Sequence, residues 1–295
     1  MQQIIGYIHN NSIIDTQTAA ENNLNTQSLE PIYFTDTPNA HEIIRHTCAH
    51  LLAEAIKALY PEAKFFVGPV VDEGFYYDFK VDSKIGVDDL ATIESKMKEI
   101  AKKGHKLTKI HLSRKEAIER FSGDELKQAV MSKIEGDDFS IYQQGDFEDL
   151  CRGPHLPHLK LLQAFKLTKI SGAYLGGDED SEVLTRIYGI AFAEKENLKQ
   201  YLFQLEEAKK RDHRKLGVEM ELFTFEEDVG AGLPIWLPKG ARLRRRIEEL
   251  LTRALILNEY EPVRCPEILK SDVWKISGHY THYKENMYFT TIDEV

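Results

Sequence analysis

Two four-residue spacings about a hundred positions apart constrain this chain most: His46-Thr-Cys-Ala-His50 and Cys151-Arg-Gly-Pro-His155. They supply three imidazoles and one thiol in two clips whose side chains can converge on one point, so the fold must bring distant segments together. On a helix the i, i+4 spacing stacks His46 and His50 on one face, because the turn repeats every ~3.6 residues. The second clip sits in a Gly-Pro turn that fixes its backbone. A site of this composition either binds zinc or positions and polarises a water.

At 295 residues, and with ~100–200 residues per domain, two domains and a small extension are expected. Cys48, Cys151 and Cys265 are odd in number and widely scattered. No secretory signal opens the chain, so a reduced, cytoplasmic setting is expected and a disulfide framework is not. No apolar run reaches the ~18–20 residues that span a bilayer, which predicts a soluble protein. The net charge of −10 argues against a surface coated in nucleic acid but leaves room for a local basic track.

Along the chain, Ile4 to Ile8, Asn10-Asn11 and Ile13-Ile14 predict a short hairpin, and the polar residues 16–29 a linker or loosely attached arm. From His41 to Tyr60, Ile44, Thr47, Leu51, Ala55 and Leu59 recur at helical spacing until Pro61 stops the run. Phe65 to Val71 and Gly74 to Phe79 predict a hairpin on which that helix packs. Residues 88–103 predict a second helix and 113–121 a third, capped by Ser113 with Glu116 three residues on. Phe165–Ile170 and Thr185–Tyr188 predict further strands. This is an α+β pattern. Residues 195–216 predict one long charged helix stopped by Gly217, followed by a helix at 241–257 and a β segment around 262–268.

Taken singly, each clip fits partly exposed or hydrogen-bonded residues with no further role. Two clips in one predicted domain point to a functional site. The lack of a Glu beside His46 excludes an HExxH metalloprotease. Zinc suits thiolate and imidazole, and four protein ligands would leave no open position, which fits a structural site.

The runs His46-Thr-Cys-Ala-His50-Leu-Leu-Ala, Val67-Gly-Pro-Val-Val-Asp-Glu-Gly-Phe-Tyr-Tyr-Asp78, Asp149-Leu-Cys-Arg-Gly-Pro-His155 and Ser171-Gly-Ala-Tyr174 resemble the editing domain of bacterial threonyl-tRNA synthetases. Arg211 to Gly217 resembles the end of that family's linker helix. Leu237 to Pro266, and Trp274 to Phe289, resemble the opening of its class II catalytic domain, with Arg242, Arg244, Arg245 and Arg246 on the motif 1 helix. The resemblance implies an editing domain over 39–194, a linker helix over 195–220 and the start of an antiparallel catalytic domain over 221–295, behind a short extension over 1–38. It implies an ATP-dependent threonine-tRNA ligase that hydrolyses mischarged seryl-tRNA, because one missing methyl is worth only ~1–3 kcal/mol in a binding pocket.

By the same resemblance His46, His50, Cys151 and His155 form the editing cluster. Lys127 and the histidines then position a water and handle its proton, while Tyr77 and Asp149 orient the substrate. Without the resemblance Lys127 reads as a solvated helix lysine, Asp149 as one acid in a run and Tyr77 as an ordinary strand aromatic. Related alanyl editing domains hold zinc with a similar cluster; the bacterial threonyl version implies no metal for editing. The full-length family implies ATP with magnesium, a catalytic-domain zinc whose ligands this chain lacks, tRNA and threonine as partners, and a homodimer through motif 1. The basic run 209–215 is either a solvated face or a track for tRNA phosphates.

Motifs 2 and 3 and an anticodon-binding domain do not follow, so this chain is expected to edit and not to activate threonine. Two rivals remain: a free-standing deacylase of mischarged tRNA, and a zinc-stabilised RNA-binding module.

Overall fold

Asn10 and Asn11 both adopt positive φ, at 50° and 60°, the backbone that a two-residue hairpin turn requires and that asparagine tolerates. They join β1 (Ile4–His9) to β2 (Ser12–Asp15) in antiparallel register, as the sequence predicts. The computed structural model describes residues 3–177, 181–230 and 232–290. They fall in two compact units, Met1–Glu207 and Ala208–Val295.

The expected loose arm is built into the first unit. Asp15 caps α1 (Thr16–Glu21), a single 3-10 turn follows, and β3 (Glu30–Tyr33) pairs with β1. Order comes from a distant partner: the Gln17 amide accepts from Lys109 N at 2.9 Å and donates to Lys109 O at 3.0 Å, completing a backbone edge 92 residues away. Composition carries no trace of such a contact.

Pro38 opens α2 (Pro38–Leu59), where its missing N–H costs nothing. Ile43, Ile44, Thr47, Cys48, Leu51, Leu52, Ala55 and Ile56 are its buried face, each large side chain contributing ~1.5–3 kcal/mol on leaving water. That face packs on a sheet begun by β4 (Lys64–Phe65), β5 (Val70–Val71) and β6 (Gly74–Lys80). Then come α3 (Asp89–Lys103), β7 (Leu107–Ser113), α4 (Arg114–Arg120) and α5 (Glu125–Ser132), with Ser113 and Glu116 forming the predicted capping box. The strands β8 (Asp138–Gln144) and β9 (Phe147–Leu150) form with β7 a three-stranded meander that sequence reading missed. Finally β10 (Ala164–Tyr174) and β11 (Val183–Phe192) complete the main antiparallel sheet, ordered β10-β11-β6-β4 with β5 also on β6. The α+β architecture holds: α2 and α3 share one core with the inner face of this sheet.

The predicted continuous helix 195–216 is two helices. α6 (Lys195–Lys210) ends, and Asp212 caps a new helix, α7 (His213–Glu219), by accepting from Arg214 N at 2.9 Å. Gly217 is therefore no stop. It lies buried inside α7, where a Cβ would come within 2.4 Å of the Phe223 ring. In the second unit β12 (Phe223–Thr224) pairs with β13 (Ile235–Trp236), followed by α8 (Pro238–Leu257), α9 (Ser271–Ile276) and α10 (His279–His282). The β segment expected around 262–268 does not form. Those residues are exposed, with no neighbouring strand among the described residues to complete their hydrogen bonds. No described helix is long and apolar enough to cross a membrane.

Candidate active site

Helix α2 presents His46 and His50 one turn apart, their ring centroids separated by 5.3 Å. The meander brings the second clip to them. Cys151 follows β9 directly, and its backbone is tied to β8: Cys151 N donates to Ser140 O at 3.0 Å and Ser140 Oγ donates to Cys151 O at 2.7 Å. The turn then needs glycine. Gly153 has φ +80°, its peptide to Pro154 is cis, and a Cβ there would lie 2.3 Å from the Tyr142 hydroxyl. This turn carries the His155 ring to 4.2 Å from the rings of both His46 and His50. One potential ligand atom from each of His46, His50, Cys151 and His155 lies within 4.8 Å of the others.

Hydrogen bonds fix two of the three imidazole tautomers. His46 Nδ1 is 3.2 Å from Pro154 O, so it carries the proton and Nε2 carries a lone pair, facing Cys151 Sγ at 3.2 Å. Thr47 Oγ1 gives its own proton to Ile43 O at 2.8 Å and accepts from Leu156 N, so its 3.2 Å contact with His155 Nδ1 requires an N–H on the ring. His155 Nε2 then also turns a lone pair on Cys151 Sγ, at 3.2 Å. One thiol proton cannot serve both lone pairs. His50 adds a third unsatisfied position: its Nδ1 is buried without a hydrogen-bond partner, while Nε2 stands 3.8 Å from Asp149 Oδ2.

Burial governs the charges. It lowers His46 to about 4, opposed by the hydrogen bond to Pro154 O and then by Asp149, and His50 to about 3, opposed by Asp149. It drives His155 well below the usual imidazole range, with His46 and His50 adding to the effect, and pushes the Cys151 thiol up to about 12. The cluster is thus neutral near pH 7, with proton-accepting nitrogens turned inward.

Beside it lies a buried ionic network. Burial alone would raise Asp149, yet Lys127, then His50 and the Tyr77 hydroxyl, outweigh it and hold the carboxyl below its usual range. Lys127 Nζ pairs with Asp149 Oδ1, and it donates to Phe66 O at 3.0 Å and Tyr77 Oη at 3.3 Å. Tyr77 donates to Asp149 Oδ2, and burial with that same carboxylate pushes its phenol well up. All seven sequence-predicted site residues therefore meet in one place. Lys127 is only 3 % exposed, the opposite of a solvated helix lysine.

Sequence reading missed three supporting residues. Thr47 sets the His155 tautomer, Tyr142 walls the clip, and Asp15 binds both, accepting from Tyr142 Oη at 2.5 Å and from His155 N at 3.1 Å. Only the position of Thr47 inside the first clip hinted at its role. His46 and Cys151 are partly exposed, and an open cleft of about 620 Å³ runs past His46 between Arg45, Gly153, Val70 and Asp72.

The donor set also fits zinc. One nitrogen from each of the three histidines and a thiol are mutually close, and Pro154 O and Thr47 Oγ1 hold two of the rings from behind, as outer partners of metal-bound histidines do. A cation there would convert the thiol to thiolate.

Part of this unit is similar to an accessory domain of tRNA synthetases. Residues 139–188, running from β8 through the Cys-His clip into β11, match the model of the threonyl and alanyl tRNA synthetase second additional domain. Nearly the whole chain matches threonine–tRNA ligases. It is 66 % identical over 297 residues to that of Helicobacter pylori strain J99 and to that of Helicobacter acinonychis, covering 99 % of this chain and 48 % of each relative. It is 68 % identical over 294 residues to that of Helicobacter hepaticus, covering 100 % of this chain and 48 % of the relative. The chain spans about half the length of these curated relatives, and it fits the amino-terminal portion of a threonyl-tRNA synthetase.

Proposed function

We propose that the first unit is a proofreading hydrolase that removes serine from mischarged tRNA for threonine. The observation that carries this reading is the convergence of neutral, lone-pair-bearing histidines with the Lys127–Asp149–Tyr77 network beside an open cleft. Serine shares the threonine hydroxyl and lacks one methyl, so a synthetic pocket cannot reject it well; a second pocket too small for that methyl can.

Hydrolysis of the ester needs a placed water, a proton acceptor and stabilisation of the oxyanion. A histidine held neutral by burial takes the proton as the water oxygen bonds to the ester carbon. It returns a proton to the ribose oxygen as the carbon–oxygen bond breaks. Lys127 supplies positive charge near the water and the developing oxyanion. The Asp149 carboxylate, fixed by Tyr77 and Lys127, complements the ammonium group of the seryl moiety and orients it. Cys151 stays a thiol and donates to a histidine lone pair.

For the whole enzyme we propose ATP- and magnesium-dependent charging of tRNA with threonine, with a further zinc in the catalytic domain. Dimerisation through α8 is supported by the exposed Leu243, Ile247, Leu250 and Leu251 on that helix. The convergent donor set favours one rival, a zinc-stabilised module without catalysis.

A single assay separates the two. The purified chain is incubated with tRNA for threonine charged with serine or threonine. The expected result is faster loss of serine, with the preference abolished in His46→Ala and Cys151→Ala. Equally inert wild type and variants with one zinc per chain would replace hydrolysis by the structural reading.

A further inference from the structure

We propose that Arg45 builds a phosphate subsite in the cleft beside His46, holding the phosphodiester that precedes the terminal nucleoside of the ester. The inference rests on the hydrolytic reading and names a contact that reading does not include.

Arg45 is 8 % exposed, yet its guanidinium has no carboxylate within ion-pair distance among the described residues. Its Nη1 donates to Asp72 O at 2.8 Å and Val71 O at 3.4 Å, and Nη2 donates to His41 Nδ1 at 3.3 Å. Its Nε has no partner at all. Taking a permanent cation out of water without a directly paired counter-charge is costly, and an unpaired buried N–H adds to that cost. Lys127, the other cation buried to this degree among the described residues, is balanced by Asp149, and the partly exposed Arg186 is balanced by Asp78.

The carboxylates around Arg45 do not fill the gap. Asp36, Asp72 and Glu73 act on Arg45 only through space: Asp36 is committed to Ala193 N, Asn197 Nδ2 and His41 Nε2, and Asp72 and Glu73, like Glu42, are exposed to water. An incoming anion in the cleft would neutralise the guanidinium.

Position selects the anion. Arg45 lines the same cleft as His46 and precedes it on α2, so a bound anion sits beside the reacting ester. An aminoacyl ester has no free carboxylate, and its nearest negative charge is the phosphodiester on the 5′ side of the terminal ribose. Guanidinium is well matched to phosphate oxygens. By holding the Val71–Asp72 turn as well, Arg45 ties the anion to both walls of the cleft.

The test uses the whole 295-residue chain. Calorimetry compares adenosine 5′-monophosphate, adenosine and inorganic phosphate on wild type, Arg45→Gln and Arg45→Lys, and hydrolysis compares seryl esters of adenosine with and without the 5′-phosphate. Wild type is expected to bind the monophosphate at least tenfold tighter than adenosine, ~1.4 kcal/mol. Arg45→Gln should cut that ratio to about twofold or less, Arg45→Lys should keep part of it, and the kcat/KM ratio of the two esters should collapse in parallel.

Equal binding of monophosphate and adenosine by wild type overturns the subsite, as does an undiminished ratio in Arg45→Gln. Inorganic phosphate binding as tightly as the monophosphate would make this an anion site unrelated to a nucleotide. Should Arg45→Gln fail to fold, Arg45→Lys and the wild-type ratio still decide. If no ester is hydrolysed while the Arg45-dependent ratio persists, the hydrolytic reading fails and the subsite stands.

Discussion

Replacing Lys127 by methionine is a severe test of the ionic network, because it leaves the shape of the side chain nearly intact and strands the charge of Asp149. Both partners are almost fully buried, at 3 % and 2 % exposed. Removing one member of such a pair costs roughly 3–5 kcal/mol, most of it the penalty of an unbalanced buried charge. The sign of the pH dependence then reverses. In the wild type Asp149 sits below its unfolded value, so its contribution is complete above about pH 4 and is lost as pH falls through the folded value. In Lys127→Met the largest opposition to burial is gone, leaving His50, Tyr77 and the Leu150 N–H, and the carboxyl moves up. A raised group contributes fully below its unfolded value and loses that contribution as pH rises. The deficit of the variant relative to wild type should therefore be largest at pH 7–8 and shrink at pH 5, where titrations common to both proteins cancel.

Urea unfolding followed by circular dichroism measures this. Both tryptophans, Trp236 and Trp274, lie in the second unit, so fluorescence identifies that unit's transition, and the remaining dichroism change belongs to the first. The chain is not treated as two-state. Adding Asp149→Asn should recover a substantial part of the loss. A loss under about 1 kcal/mol at pH 7, or one that neither shrinks at pH 5 nor responds to Asp149→Asn, refutes the reasoning.

Three further outcomes follow from named contacts. Because His46 and His50 are lowered to about 4 and about 3, only the unfolded chain takes up their protons just below pH 6.5. First-unit stability should fall from pH 6.5 to 4, on the order of 3 kcal/mol from His46 alone; a flat urea-midpoint profile would contradict this. Gly153→Ala forces a side chain into positive φ against the Tyr142 hydroxyl. It should cost about 1–3 kcal/mol, read as a lowered thermal midpoint. Asp15→Ala removes the cap of α1 and the acceptor of Tyr142 Oη and His155 N together. A loss of roughly 2–4 kcal/mol is expected, smaller in Asp15→Asn, which keeps an acceptor oxygen.

Local signals were legible where local chemistry sets the structure. The i, i+4 histidines needed only a helix, the Asn10-Asn11 turn only two residues tolerant of positive φ, and the capping box only Ser113 and Glu116. What escaped was fixed at long range. Residues 16–29 look like a linker until Gln17 meets Lys109, and the meander was invisible because its strands mix charged and apolar residues. Gly217 looks like a helix stop, but it is glycine because the Phe223 ring lies against it. Lys127 is the sharpest case. Nothing near it in sequence predicts burial, since the groups that make burial tolerable, Asp149 and Tyr77, come from two other elements. The family resemblance marked Lys127; the physical reason lies in the three-dimensional packing.

The central claim is that the two clips form a hydrolytic pocket that prefers the smaller amino acid. The most direct measurement is the first-order rate of deacylation of seryl- and threonyl-tRNA by the dialysed chain, with a strong zinc chelator present throughout. A serine rate at least about tenfold above the threonine rate, or ~1.4 kcal/mol of discrimination, and unchanged by chelator, is predicted. Equal rates for the two esters, or activity that disappears with chelation, would contradict it.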